Sequence, residues 1–124
     1  MLWSDSVHAG RCVDNGDRTV TDNATGLVWQ KDSDGPMNWD DAMRHVQGRT
    51  LSGHSGFRLP SRGELEGLYH SPCLQAMHVK SDWYWSSTTE PDYPACAWGM
   101  NFGNGEAHCG NKMHDVFVRA VLTQ

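Results

Sequence analysis

Apolar and polar positions alternate with a period of two in most of the patterned runs of this chain. A helical period appears in two short stretches only. Arg18-Thr19-Val20-Thr21-Asp22 alternates and is β-branched, which predicts a strand. Leu27-Val28-Trp29-Gln30-Lys31 predicts a second strand. Asp14-Asn15-Gly16-Asp17 and Asn23-Ala24-Thr25-Gly26 are turns, because Asn and Gly tolerate positive φ and Asx side chains bond their own backbone. The opening therefore reads as a β-meander. Residues 1–10 show no period and form an N-terminal arm before a single domain over 11–124.

After a loop at Asp32-Ser33-Asp34-Gly35-Pro36 the period changes. Trp39, Ala42, Met43 and Val46 fall at i, i+3, i+4 and i+7, one apolar stripe. Asn38 is placed to cap that helix and Gly48 to end it. Ser61-Arg62-Gly63-Glu64 is a capping box for a second helix, Arg62 to about His70, which buries Leu65 and Leu68. Residues 50–57 and 74–82 read as irregular.

The last third returns to period two. Trp83-Tyr84-Trp85-Ser86-Ser87 predicts a strand, Thr88 to Pro94 a loop, and Ala97 to Phe102 a strand with Trp98, Met100 and Phe102 facing the core. Asn104-Gly105 read as a two-residue turn pairs residue 100 with 109. Val116 to Leu122 closes the chain as an apolar strand. Parity assigns Trp85, Trp98, Phe102 and Val118 to the scaffold. It turns Gly99, Asn101, Glu106 and His108 outward, with Ala107 and Cys109 inward.

Composition narrows the function. With 124 residues the chain can bury a core of its own, and 13 Gly point to short elements rather than long helices. A net charge of −5 excludes the basic stripe of a nucleic-acid binder and weakens a sulfated polysaccharide as ligand. No apolar run approaches 18 residues, so no membrane insertion is expected. Met1 to Asp5 lacks the basic and apolar regions of a signal peptide, so an export signal is expected to be absent from this sequence. The cysteines Cys12, Cys73, Cys96 and Cys109 are even in number and widely spaced. That favours disulfides in an exported domain, with three connectivities open.

Catalytic and metal patterns are lacking. His70, Cys73 and His78 do not have the spacing of a closed zinc site, and Asp14, Asp17 and Asp22 do not match a calcium loop. Glu64 serves a helix cap and Glu66 faces away from the buried stripe, so they are not an acid–base pair. The expectation is no enzyme, no metal and no cofactor.

Several blocks occur in an order that resembles a known family. They are Asp14-Asn15-Gly16-Asp17, Thr19 to Lys31, Trp39-Asp40-Asp41-Ala42, Phe57 to Leu65, Tyr84-Trp85-Ser86-Ser87-Thr88, Asn101-Phe102 and Val118-Arg119-Ala120-Val121. The chain resembles the Lcl C-terminal domain family from about residue 11 to 122. The resemblance implies an α+β, C-type-lectin-like fold shared with formylglycine-generating enzymes: two helices packed on small twisted antiparallel sheets, with a loop-rich ligand face. It implies a surface adhesin module, homotrimeric in its type member and binding sulfated glycans. Some relatives are sequence-diversified receptors of retroelements. The enzymes of the fold oxidise cysteine through a cysteine pair in a copper site, a motif that does not map onto Cys96 or Cys109. The expected function is a non-catalytic module that binds a glycan or protein ligand at the cell surface, extracellular or in the cell envelope. Its candidate contacts are Glu90, Asp92, Tyr93, Asn101, Asn104, Glu106, His108, Asn111, Lys112 and His114. Carboxylate, amide, imidazole and phenol side chains on scaffold-held loops can hydrogen-bond hydroxyls and stack on a ring.

Overall fold

A computed structural model describes residues 10–50 and 53–123. The arm expected over 1–10 falls outside the described residues except for Gly10. The described residues form an α+β fold of two sheets, two α-helices and a short 3-10 helix.

The predicted meander is present as β1 (Cys12–Asp14), β2 (Thr19–Asp22) and β3 (Leu27–Gln30). Val20 pairs with Trp29 across β2 and β3. The chain's last strand, β9 (Val121–Thr123), adds antiparallel to β3 with Val121 opposite Trp29, giving a sheet of order β1-β2-β3-β9. The three Asp of the meander close turns, as expected. Asp14 Oδ1 accepts from Gly16 N at 3.0 Å, Asp17 Oδ1 from Thr19 N at 3.1 Å and Asp22 Oδ1 from Ala24 N at 3.0 Å.

The second sheet has the order β4-β8-β5-β6-β7. Its strands are β4 (Asp34–Met37), β5 (Trp83–Glu90), β6 (Tyr93–Asn101), β7 (Ala107–Asn111) and β8 (Val116–Val118). Neighbours are antiparallel except β5 and β8, where Tyr84 lies beside Phe117 in a parallel pair. Three sequence expectations are corrected here. The loop at 32–36 gives way to β4 from Asp34 onward. Its Gly35-Pro36 interrupts the pairing with β8, and the register shifts between Asp34 and Met37. The loop expected at 88–94 is strand on both sides of a tight turn, with Glu90 opposite Tyr93. The hairpin between β6 and β7 pairs Trp98, not Met100, with Cys109. Its loop is longer than two residues: Asn101 N donates to Glu106 O at 2.8 Å and Gly105 N to Asn101 O at 2.7 Å.

Helix α1 (Trp39–Gln47) starts where Asn38 Oδ1 accepts from Asp41 N at 2.9 Å and buries Ala42 and Val46. Helix α2 (Arg62–Tyr69) carries the full capping box between Ser61 and Glu64 and buries Leu65 and Leu68. Residues 72–76, expected irregular from 74 onward, form the 3-10 helix (Pro72–Ala76).

Two cores result. One joins Val20, Trp29, Leu65, Leu68, Tyr84 and Met100 between α2 and the two sheets. The other joins Val46, Phe57, Leu59, Trp85 and Val118 under α1. Cys12 bonds Cys73, tying β1 to the 3-10 helix, and Cys96 bonds Cys109 across β6 and β7. Cys96 stands opposite Asn111 rather than Cys109, yet the diagonal leaves Cα atoms 5.6 Å apart, within bridging reach.

Candidate ligand-binding cleft

Cross-strand partners share a face of a sheet, so the register sorts the last third. Trp83 pairs with Asn101 and Trp85 with Gly99. Gly99 pairs with His108, and Ala97 with Gly110. All of these lie on one face. Tyr84 and Met100 lie on the other and pack into the core beneath α2. Near β8 the first face is covered, and Trp85 is 1% exposed there. Farther across, over β6 and β7, the same face opens: His108 is exposed and Gly110 half-buried.

The opening is a cleft of about 170 Å³. Trp83 and Trp85 wall it, and Gly99 and Gly110 form part of its lining. His108, His114 and Val116 complete it. The space exists because two strand positions lack side chains. A Cβ on Gly110 would sit 3.7 Å from the Trp85 ring, in ordinary contact with it. A Cβ on Gly99 would stand 3.2 Å from Tyr84 O and 3.6 Å from Trp83 Cε3, which is tight.

The cleft is lined by no Lys, Arg, Asp or Glu, and its polar side chains are two indoles and two imidazoles. Trp85 Nε1 is occupied, donating to Met37 O at 3.0 Å. The His108 ring meets Trp83 edge to face with centroids 5.5 Å apart, and His108 Nε2 lies 3.4 Å from Glu106 Oε2. This set can hold a flat or compact apolar group and offers a few polar contacts at its imidazoles. It lacks the convergent nucleophile and base that covalent chemistry requires. Among the described residues, no three His, Cys, Asp or Glu side chains converge as metal ligands would. Cys73, one member of the zinc trio weighed from the sequence, is in a disulfide.

The structure brings together some of the sequence-predicted contacts and separates others. His108 and His114 line the cleft, Glu106 sits beside His108, and Asn101 stands opposite Trp83. Asn101, Asn104 and Asn111 use their side-chain oxygens to accept from Gly103 N, Glu106 N and Met113 N, holding turns. Glu90 Oε2 accepts from Trp98 Nε1 at 3.2 Å. Lys112 Nζ lies 4.1 Å from the centre of the Trp39 ring. Asp92 and Tyr93 form the exposed tip of the β5–β6 hairpin.

Sequence reasoning missed Trp83, Trp85, Gly99, Gly110 and Val116 as cleft residues. A Trp pair at i and i+2 facing a Gly in the next alternating run was the available signal. Trp98 also departs from expectation. It shares the core-facing side with Met100 but is half-buried, with the Arg62 guanidinium 3.8 Å above its ring.

A sequence model described as the Lcl C-terminal domain matches residues 18–122. No curated protein matches the chain.

Proposed function

The chain belongs to the Lcl C-terminal domain family, and on that premise we propose that it is a non-catalytic binding module with a glycan as its ligand. The family and the two disulfides suggest an extracellular or surface protein. No helix among the described residues is long and apolar enough to cross a membrane.

The observation that carries the glycan reading is the cleft. Of the two indoles on this face, the half-buried Trp83 gives an aromatic surface for the C–H side of a sugar ring, and the buried Trp85 walls the cleft behind it. Glu106, Asn101 and the imidazoles around it supply polar groups for hydroxyls. Small-ligand sites take this form, a mostly apolar concavity with a few polar groups that fix orientation. A glycan array followed by titration calorimetry tests the reading. Trp83→Ala, at a half-buried position, lowers affinity about tenfold, in line with the loss of an aromatic contact, and leaves the melting temperature nearly unchanged. An array with no glycan bound overturns it.

A second reading, the sequence-diversified receptor with a protein ligand, draws on one feature. Gly99, His108 and Gly110 lie on two paired strands within one segment, so exchanging them reshapes the cleft while the core beneath Tyr84 and Met100 stays intact. The coding DNA decides this. A near-copy of codons 83–122 beside a reverse transcriptase, differing at adenines, establishes diversification, and its absence removes it.

A further inference from the structure

We infer that the group entering the cleft is an acetamido substituent, so that the glycan bound here is N-acetylated. The inference rests on the glycan reading and narrows it.

Volume comes first. At about 170 Å³ the cleft resembles in size the apolar cavities of about 150 Å³ that take up a benzene-sized molecule. It accepts one compact group, not a chain of sugars. Lining comes second. Every side-chain polar atom at the cleft belongs to an indole or imidazole ring, and the glycines and Val116 contribute none. A sugar ring pushed inside would bury several hydroxyls with too few partners, at roughly 1–3 kcal/mol for each one unpaired. The ring therefore stays at the mouth, and an apolar substituent goes in.

Charge comes third. No Lys, Arg, Asp or Glu lines the cleft, so a sulfate or an ammonium placed there would meet no side chain of fixed opposite charge in the lining, whose ionisable groups are the two imidazoles. Polar pairing then separates an amide from a plain methyl group. With Nε2–H turned toward Glu106 Oε2, His108 Nδ1 remains an acceptor for an amide N–H. His114, in the turn after β7, carries the ring N–H that an amide carbonyl can take. A planar acetamide also lies flat along an indole wall, which a tetrahedral hydroxymethyl group does not.

The test compares three β1,4-linked trisaccharides by titration calorimetry: those of N-acetylglucosamine, of glucosamine and of glucose. A 6-deoxyhexose glycoside is the methyl-only control. The N-acetylated trisaccharide is expected to bind at least tenfold tighter than the other three ligands. Gly110→Val, which places a side chain in the cleft, is expected to erase that preference. Gly110→Ala serves if the valine variant unfolds, since its Cβ meets Trp85 at an ordinary 3.7 Å. Equal affinity for acetylated and unacetylated trisaccharides overturns the acetamido inference and leaves the glycan reading standing. Tighter binding of the deoxy sugar also overturns it. An N-acetyl preference that survives a folded Gly110 variant overturns the assignment to this cleft. Failure of every glycan on the array overturns the underlying reading instead.

Discussion

At the scale of single residues, Arg119 has the most demanding environment. It is 2% exposed and lies between β8 and β9, where the chain passes from one sheet to the other. Its guanidinium donates to Gln30 O, to Lys31 O at 2.7 Å, to Ser33 Oγ at 3.1 Å and to His78 O at 2.6 Å. Among the described residues no carboxylate bonds it directly; planar donors meet oxygens on two segments, residues 30–33 and His78. Burial pulls its pKa down, but Arg keeps its proton in proteins. Arg119→Met leaves several buried acceptors unpaired and is expected to destabilise the fold by about 3 kcal/mol or more, read by chemical denaturation. Arg119→Lys is expected to recover only part of this, since an ammonium lacks the planar fork.

Glu64 is a second such residue. Arg58 donates to its two oxygens at 2.7 and 2.8 Å, and Ser61 N donates at 2.8 Å. The Arg58 bonds outweigh burial and hold the carboxyl below its ordinary value near 4.5. In the unfolded chain Glu64 takes up its proton at that ordinary value, before the folded form does. Its contribution to stability is thus complete above about pH 4.5 and is lost as pH falls through the lower folded value. Glu64→Gln should therefore flatten the dependence of the denaturation midpoint on pH below that point. An unchanged slope refutes the assignment.

At the scale of elements, each cross-link and cap has its own expected weight. The Cys12–Cys73 bridge spans 61 residues and Cys96–Cys109 spans 13. Loop-closure entropy assigns them about 4 and about 3 kcal/mol. Removing the first pair with Ser should lower the melting temperature more than removing the second. Ser61→Ala at the cap of α2 should cost about 1 kcal/mol in the same assay. These elements differ in how openly the sequence announced them. The meander and both helices were legible because their signals are local: Asn38 and Ser61 cap, Val20 alternates with threonines, and turn residues bound the apolar run Leu27-Val28-Trp29. β4 was not, because Asp34-Gly35-Pro36 has loop composition and becomes a strand through its partner Val116–Val118, far away in sequence. The β5–β6 turn was hidden by polar residues on both of its sides. In the cleft, His108 followed from parity alone. Trp85 was read as scaffold, which it also is, and Trp83 was not among the candidate contacts. Gly99 and Gly110 act through a missing side chain, and only the paired strand shows what that leaves open.

At the scale of the whole molecule, two sheets share a core and are joined by two short crossings, residues 31–33 between β3 and β4 and residues 119–120 between β8 and β9. β9 completes the first sheet while β8, three residues earlier, lies between β4 and β5 in the second. Disrupting either sheet should therefore disturb the other, and fluorescence of the buried Trp29 and Trp85 is expected to change in one transition with far-ultraviolet circular dichroism. Two separated transitions contradict that coupling.

The order of the bridges along the chain carries a consequence for biogenesis. Of three connectivities, the observed one joins first to second cysteine and third to fourth. Counting only the cysteines of this domain, a polypeptide threading amino end first into an oxidising compartment presents Cys73 after Cys12, and Cys109 after Cys96, so each bond joins cysteines that emerge in succession. Order of emergence then favours the observed pairing, and oxidative refolding of the reduced domain is expected to need less disulfide reshuffling than an interleaved connectivity would.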